Sequence, residues 1–107
     1  MIYRVPEEYQ FVEEGFGLSK SHDPDEAIYS YVYLYDEAEL TFSHSPALNS
    51  YFSARYCEGN ETIFEVYFEE VTEIKFGGWN GERTIEVSLK NQRDVTVFYN
   101  PKARINI

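Results

Sequence analysis

Apolar and polar residues alternate through much of the second half of the chain. Along residues 62–69, successive side chains belong to two opposite sides of an extended backbone. One side holds Thr62, Phe64, Val66 and Phe68, and the other holds Ile63, Glu65, Tyr67 and Glu69. A period of two with one apolar side is typical of a strand that turns one face to a core. We therefore predict a β meander over residues 62–99.

A two-residue hairpin turn is predicted at Asn80-Gly81, because a type I′ turn needs positive φ at both central residues. This turn places Trp79 opposite Glu82, and further along it places apolar residues opposite each other, in the pairs Phe76 with Ile85 and Ile74 with Val87. A second hairpin is predicted to close on residues 90–94. Its expected pairs are Leu89 with Val95, Val87 with Val97, and Ile85 with Tyr99.

Shorter elements are predicted before and after this stretch. Strands are expected at Ala27–Tyr35, Ala38–Ser43 and Tyr51–Cys57, a short edge strand at Arg104–Ile107, and a short helix over Pro6–Gly15. The turn residues between Gly17 and Glu26 predict a loop. The predicted fold is mainly β, an antiparallel sandwich or half-barrel of six to eight strands with one or two short helices.

Length and composition predict one domain over residues 1–107, with a core rich in aromatic side chains. The chain has 107 residues, among them ten tyrosines and eight phenylalanines. Its single cysteine, Cys57, excludes an internal disulfide bond. The first residues do not have the pattern of a signal peptide, and no apolar run reaches the ~20 residues that span a bilayer. We expect a protein of the reducing cytoplasm.

Charge is distributed unevenly along the chain. The net charge is −10, and residues 1–73 hold sixteen acidic against three basic residues. Residues 74–107 hold six basic against three acidic residues. Such a field repels nucleic acids and anionic lipids and attracts basic partners, although acidity of this kind also serves solubility alone.

Candidate catalytic and metal-binding residues do not form a recognisable motif. His22, His44 and Cys57 are the soft metal ligands, and their spacing fits no metal site. Glu58 and Glu61 lie near Cys57, and nearby negative charge disfavours a reactive thiolate. We therefore predict no metal, no cofactor and no enzymatic activity.

Two rows of side chains are candidates for a binding surface. Tyr29, Tyr31, Tyr33 and Tyr35 share one side of their strand. They form either a second buried face or an exposed contact surface, since tyrosine combines a large apolar area with a polar tip. Glutamates recur on the odd-numbered side of the central strand, where the meander begins, at Glu61, Glu65, Glu69 and Glu73. They form either a solvated face that discourages aggregation or a binding surface for a cationic partner, which would relieve the repulsion between the like charges.

The segment from Phe64 to Trp79, FEVYFEEVTEIKFGGW, resembles small β-rich immunity proteins of bacterial polymorphic-toxin systems. In these proteins an alternating strand ends in Gly-Trp or Gly-Phe, an earlier hairpin resembles residues 29–42, and two strands follow at the end. The similarity of layout covers residues 27–99. It implies a protein that binds and blocks a cognate toxin domain, often a basic nuclease, and it implies no catalytic residues.

These observations predict a non-enzymatic inhibitor whose partner is a basic toxin domain, without nucleic-acid or membrane binding. The expected contact residues are Asp36, Glu37, Glu39, Glu65, Tyr67, Glu69 and Glu73. The sequence is compatible with a monomer or a dimer. The alternatives are an acidic structural domain and a small-ligand or carbohydrate-binding module, in which Tyr29, Tyr31, Tyr33 and Trp79 would form a stacking platform.

Overall fold

Two antiparallel sheets make up the protein, as shown by a computed structural model that describes residues 2–107. The five-stranded sheet has the order β1-β2-β3-β4-β5, with β1 Gly17–Leu18, β2 Tyr29–Tyr35, β3 Ala38–Ser45, β4 Tyr51–Glu58 and β5 Glu61–Phe68. The four-stranded sheet has the order β6-β7-β8-β9, with β6 Val71–Trp79, β7 Glu82–Leu89, β8 Val95–Asn100 and β9 Arg104–Asn106. The predicted β-sandwich is confirmed, with one strand more than the upper limit that we expected.

Short helical segments connect the strands. Helix α1 spans Glu8–Glu13, within the predicted range, and a 3-10 helix spans Pro24–Glu26 in the predicted loop. A helical turn, α2 Ala47–Ser50, joins β3 to β4. Among residues 2–107, no helix combines the length and the apolar character needed to cross a membrane.

The predicted turn at Asn80-Gly81 is confirmed with its register. Asn80 and Gly81 have φ values of 51° and 80°, as a type I′ turn requires. Trp79 pairs with Glu82, and the two further predicted pairs along β6 and β7 are also present. A turn of two residues leaves the strands no freedom to slide, so the local sequence determines the pairing.

The register predicted for the second hairpin is wrong by two residues. Val87 pairs with Val95, and Ile85 pairs with Val97. Leu89, which we had paired with Val95, lies opposite Val71 of β6 instead. A shift of two residues keeps every side chain on its predicted face, so the buried set is unchanged although the partners differ.

The predicted meander over residues 62–99 is also wrong at one point, because the chain changes sheets after β5. Strand β5 ends at Phe68, and the connection through Glu69 and Glu70 leads to β6 in the other sheet. Glu70 takes a positive φ of 65° at this crossing. Within residues 62–99, the meander is limited to β6, β7 and β8, while β5 is an edge strand of the five-stranded sheet.

Aromatic side chains fill the space between the sheets. Phe11 of α1 is fully buried and stacks on Tyr31 with the ring centroids 4.0 Å apart. Phe11 also contacts Phe42 of the same sheet and Phe76 of the opposite sheet. Helix α1 therefore covers one end of the sandwich and places its single buried residue between the two layers.

Candidate functional site

The outward side of the five-stranded sheet carries most of the predicted contact residues. Because side chains alternate along a strand, the register places Glu39 of β3, Arg55 of β4 and Glu65 of β5 on this side. Glu39 and Glu65 line one groove of about 590 Å³, together with Arg55 and Lys20. Two of the predicted acidic residues thus lie together, beside two cations rather than in a purely acidic patch. We call this side of the sheet the outer face.

The hairpin tip beside the outer face forms a second hollow, of about 650 Å³. Its lining includes Asp36 and Glu37, which we predicted as contact residues, together with Glu58. Tyr35 and Tyr56 form its aromatic wall, with their rings in an edge-to-face arrangement 5.6 Å apart. A wall of this kind next to three carboxylates has the chemistry to receive a cationic side chain.

Hydrogen bonds shape this tip. The Gly59 N–H donates to the Glu37 carbonyl over 3.1 Å, which links the β2–β3 and β4–β5 turns. The Tyr56 hydroxyl donates to a Glu58 carboxylate oxygen at 3.0 Å, and the Tyr35 hydroxyl donates to the Tyr99 carbonyl at 2.7 Å. Burial raises the pKa of Tyr35, so its phenol is neutral at pH 7. The charge of the tip therefore comes from the carboxylates alone.

Tyr67 and Glu69 lie together at the other end of β5. The Tyr67 side chain is 50% exposed, its ring stacks on Tyr51 at 5.1 Å, and its hydroxyl donates to Glu69 at 3.0 Å. Both residues line a hollow of about 300 Å³ at the crossing between the sheets. A half-exposed tyrosine held in place by a stacked neighbour has the character of an interface anchor.

Glu73 does not lie with the other predicted contact residues. It belongs to β6 of the four-stranded sheet, where it pairs with Ser88 and forms a parallel bridge to Arg4. The predicted row of glutamates assumed one continuous strand, and the crossing at Glu69 and Glu70 divides it. Glu65 and Glu73 are therefore on different sheets.

Exposed apolar residues on the five-stranded sheet extend the candidate surface, and sequence reasoning did not select them. Leu34 of β2 is 69% exposed, and Ile63 of β5 is 44% exposed. Leu34 lies opposite the tyrosine side of its strand, so it faces outward once those tyrosines are known to be buried. That alternation was the signal that could have identified it.

The row of four tyrosines faces the core, which removes the predicted stacking platform. Tyr31 is 2% exposed, and Tyr29, Tyr33 and Tyr35 pack against the same buried cluster. Trp79 lies in the other sheet, next to the β6–β7 turn, and is 61% exposed. These residues do not share a surface, because β2 turns its aromatic side inward.

The histidines and the cysteine are far from a catalytic arrangement. His44 is buried, and its Nδ1 lies 2.7 Å from the Tyr3 hydroxyl. His22 Nδ1 accepts the Ser30 N–H, and its Nε2 donates to Glu8 at 3.0 Å. Cys57 lies on the outer face, where its Sγ is 3.7 Å from a threonine hydroxyl. Within residues 2–107, no group of three or more His, Cys, Asp or Glu side chains is placed to hold a metal ion.

Comparison with known proteins gives one structural likeness. A chain of a solved structure described as "Contact-dependent growth inhibition toxin - immunity protein complex from Klebsiella pneumoniae 342" has a similar fold, with a TM-score of 0.80 and 14% sequence identity. The alignment covers 98% of this chain and 95% of that chain. Neither a protein-family model nor a curated protein matches the sequence. The resemblance to immunity proteins of toxin systems is confirmed at the level of the fold.

Proposed function

We propose that the protein is a non-enzymatic inhibitor that binds and neutralises a cognate toxin domain inside a bacterial cell. The observation that carries this proposal is the fold, which matches a chain of a toxin–immunity complex over nearly its whole length. The acidic character of residues 1–73 favours the inhibitor of such a pair, because toxins that attack nucleic acids need basic surfaces.

The partner in this proposal is a basic, nuclease-type toxin domain. Asp36 and Glu37 at the hairpin tip, with Glu39 and Glu65 on the outer face, supply negative charge that steers a basic protein. Tyr67 and Leu34 supply exposed apolar area that slows dissociation once the complex forms. Glu69 extends this contact surface through its bond to Tyr67, whereas Glu73 belongs to the other sheet and lies outside the surface.

A pull-down followed by a growth assay tests this function. The tagged protein is incubated with lysate of its source cell and washed first at low and then at high salt. We expect a basic protein to be retained at moderate salt and weakened at high salt. Expressed alone in a laboratory bacterium, that protein should stop growth, and co-expression of the present chain should restore it.

A measurement with purified proteins separates a stoichiometric inhibitor from an enzyme. Cleavage of RNA or DNA by the captured protein should stop at one equivalent of the present chain, with no effect of longer preincubation. A captured protein without toxicity would overturn the proposal. So would toxicity of the present chain itself, or inhibition by a catalytic amount of it.

A further inference from the structure

A pocket of about 450 Å³ opens at the opposite end of β2 from the hairpin tip. The N-terminal segment and the beginning of α1 form one side of the pocket, and Tyr29 and Tyr31 of β2 form another. Buried His44 belongs to its lining, and we call the cavity the His44 pocket. Its volume lies within the range of about 300–1,000 Å³ that is usual for small-ligand sites.

His44, which belongs to the lining of the pocket, has a polar ring atom without a partner among residues 2–107. Its Nδ1 is bonded to the Tyr3 hydroxyl, whereas its buried Nε2 has no hydrogen-bond partner in the part of the chain that the structure describes. Buried polar atoms are almost always paired, because an unpaired one loses the hydrogen bonds that water would give it. Burial, and secondarily the nearby His22, lowers the pKa of His44 to about 3. The ring is therefore neutral at pH 7, and one nitrogen can accept a hydrogen bond.

The mouth of the pocket is negatively charged. Glu7 and Glu8 belong to its lining, and Arg4 is the basic residue among them. Glu8 is paired with His22, whereas the Glu7 carboxylate accepts, within residues 2–107, only the backbone N–H of Gln10 at the start of α1, so Glu7 is the carboxylate that can pair with an incoming cation. The ring of Tyr29 stacks on His44 with the centroids 5.1 Å apart and presents an aromatic wall. Aromatic faces beside a carboxylate attract cations.

We propose that the His44 pocket receives the guanidinium group of an arginine from a protein partner. The flat guanidinium stacks on the tyrosine wall and pairs with Glu7. Because His44 Nε2 is buried, the tyrosine wall must shift for one guanidinium N–H to reach that nitrogen and donate to it. His44 Nδ1–H then donates to the Tyr3 hydroxyl, which leaves neither ring nitrogen unpaired. Arginine fits better than lysine, since its planar group combines stacking with several donors in one plane.

The source of the arginine rests on the proposed function, in which the partner is a basic toxin domain. Binding of a guanidinium group to the pocket does not depend on the proposed function, so this binding can be tested on the isolated protein. The probe is N-acetyl-arginine amide, added to protein labelled with ¹⁵N and followed by NMR. N-acetyl-citrulline amide, which is a neutral molecule of nearly the same shape, is the matched control ligand.

We expect the arginine amide to shift the His44 side-chain nitrogen signals and the backbone amides of residues 3–8, with saturation in the millimolar range. The citrulline amide should leave these signals unchanged. Glu7→Gln should weaken arginine binding roughly threefold, as expected for a partly exposed ion pair. Glu13→Gln, on the exposed part of the same helix, should not weaken it.

The two glutamate variants keep the proposal falsifiable if a variant at His44 fails to fold. Equal shifts with citrulline, no shift with either ligand, or equal effects of the two variants would overturn the arginine pocket. An inactive partner in the growth assay with intact arginine binding would overturn the proposed function and leave the pocket standing.

Discussion

Apart from Trp79 beside the β6–β7 turn, the outward apolar residues of the two sheets differ in how well the protein covers them with its own side chains. On the four-stranded sheet, Phe98 of β8 points outward by its register and yet is only 4% exposed. On the five-stranded sheet, Leu34 of β2 also points outward and is 69% exposed. Both are apolar residues in the interior of a strand, so their intrinsic preferences do not explain the contrast.

Long polar side chains account for the covered side. The Arg104 guanidinium lies 3.5 Å from the centroid of the Phe98 ring, and it is held there because two of its N–H groups donate to the Glu82 carboxylate over 2.8 and 3.2 Å. Glu86 lies over Gly77, where a Cβ would collide with its carboxylate. On the outer face of the five-stranded sheet, the polar residues line grooves and leave the apolar ones open. This difference supports the outer face as the surface that a partner covers.

The largest expected effect is on stability, from a substitution in the core between the two sheets. Such a substitution removes contacts to both sheets. Phe11→Ala removes a ring that contacts Tyr31 on one sheet and Phe76 on the other. We expect the free energy of unfolding to fall by about 3–5 kcal/mol, since the cavity forms in a fully buried place. Denaturation with urea measures this change.

The matched control is Tyr9→Ala, which truncates an aromatic residue of the same helix that is 63% exposed. It should change stability by less than about 0.5 kcal/mol. Equal effects of the two substitutions would show that α1 does not connect the sheets in the way described.

Acid should weaken the five-stranded sheet, because that sheet carries buried His44. The pKa of His44 falls from its ordinary value of 6.5 to about 3 through burial first and the neighbouring His22 second. Below pH 6.5 the unfolded chain binds a proton that the folded chain excludes, so stability decreases as the pH falls. Between pH 6.5 and 5, the loss should be about 1.6 kcal/mol.

Urea denaturation across this pH range tests the prediction in the wild type and in His44→Phe. The titratable groups that face His44 are Tyr3, Tyr29, Tyr31 and His22, and burial raises the pKa values of Tyr3 and Tyr31 further above this pH range. The variant should lose most of the slope, whereas His22→Gln should keep it. Equal slopes in wild type and His44→Phe would show that another group causes the acid sensitivity.

Reversal of charge on β5 and on the connection after it should weaken the complex with the proposed toxin partner and leave folding intact. Glu65→Lys with Glu69→Lys changes two exposed residues of the proposed surface. We expect the Kd to rise roughly tenfold, or about 1.4 kcal/mol, and the salt dependence to diminish. Titration calorimetry at two ionic strengths measures both quantities.

Glu13→Lys with Asp94→Lys gives the same change of net charge at exposed residues away from β5. If this control pair weakens binding as much as the β5 pair, the attraction depends on net charge and not on the outer face.

Strand positions were predictable wherever a short turn joined two alternating segments. Asn80-Gly81 determined the pairing of β6 with β7, since a two-residue turn permits one register. The longer loop after Leu89 permitted several, and alternation alone does not distinguish registers that differ by two. The buried valines of β7 and β8 were therefore predictable as core, while their partners were not.

The candidate site was only partly predictable, because its assembly depends on contacts distant in sequence. The crossing at Glu70 has no glycine or proline to mark it, so Glu73 was assigned to the wrong strand. Tyr31 could have faced either way until Phe11 was found stacked on it. Tyr3 meets His44 from 41 residues away, and no local pattern indicated that pair.

The smallest expected effect tests the covered side of the four-stranded sheet. Arg104→Ala should expose the Phe98 ring and remove the hydrogen bonds between residue 104 and Glu82. We expect the melting temperature to fall by a few degrees with no change in affinity for the partner. Arg104→Lys should recover little of the loss, because lysine keeps the charge without the flat group that stacks on the ring.

Leu34→Ser on the outer face should have the opposite pair of effects. It removes an apolar side chain that solvent already reaches, so the melting temperature should stay the same while binding of the partner weakens. Thermal denaturation measures the melting temperature of both variants, and titration calorimetry measures their affinity for the partner. If Arg104→Ala weakened binding and Leu34→Ser did not, the partner would bind the four-stranded sheet. The arrangement of Arg104 over Phe98 would then be part of the surface that contacts the partner, and its role would not be to shield Phe98 from solvent.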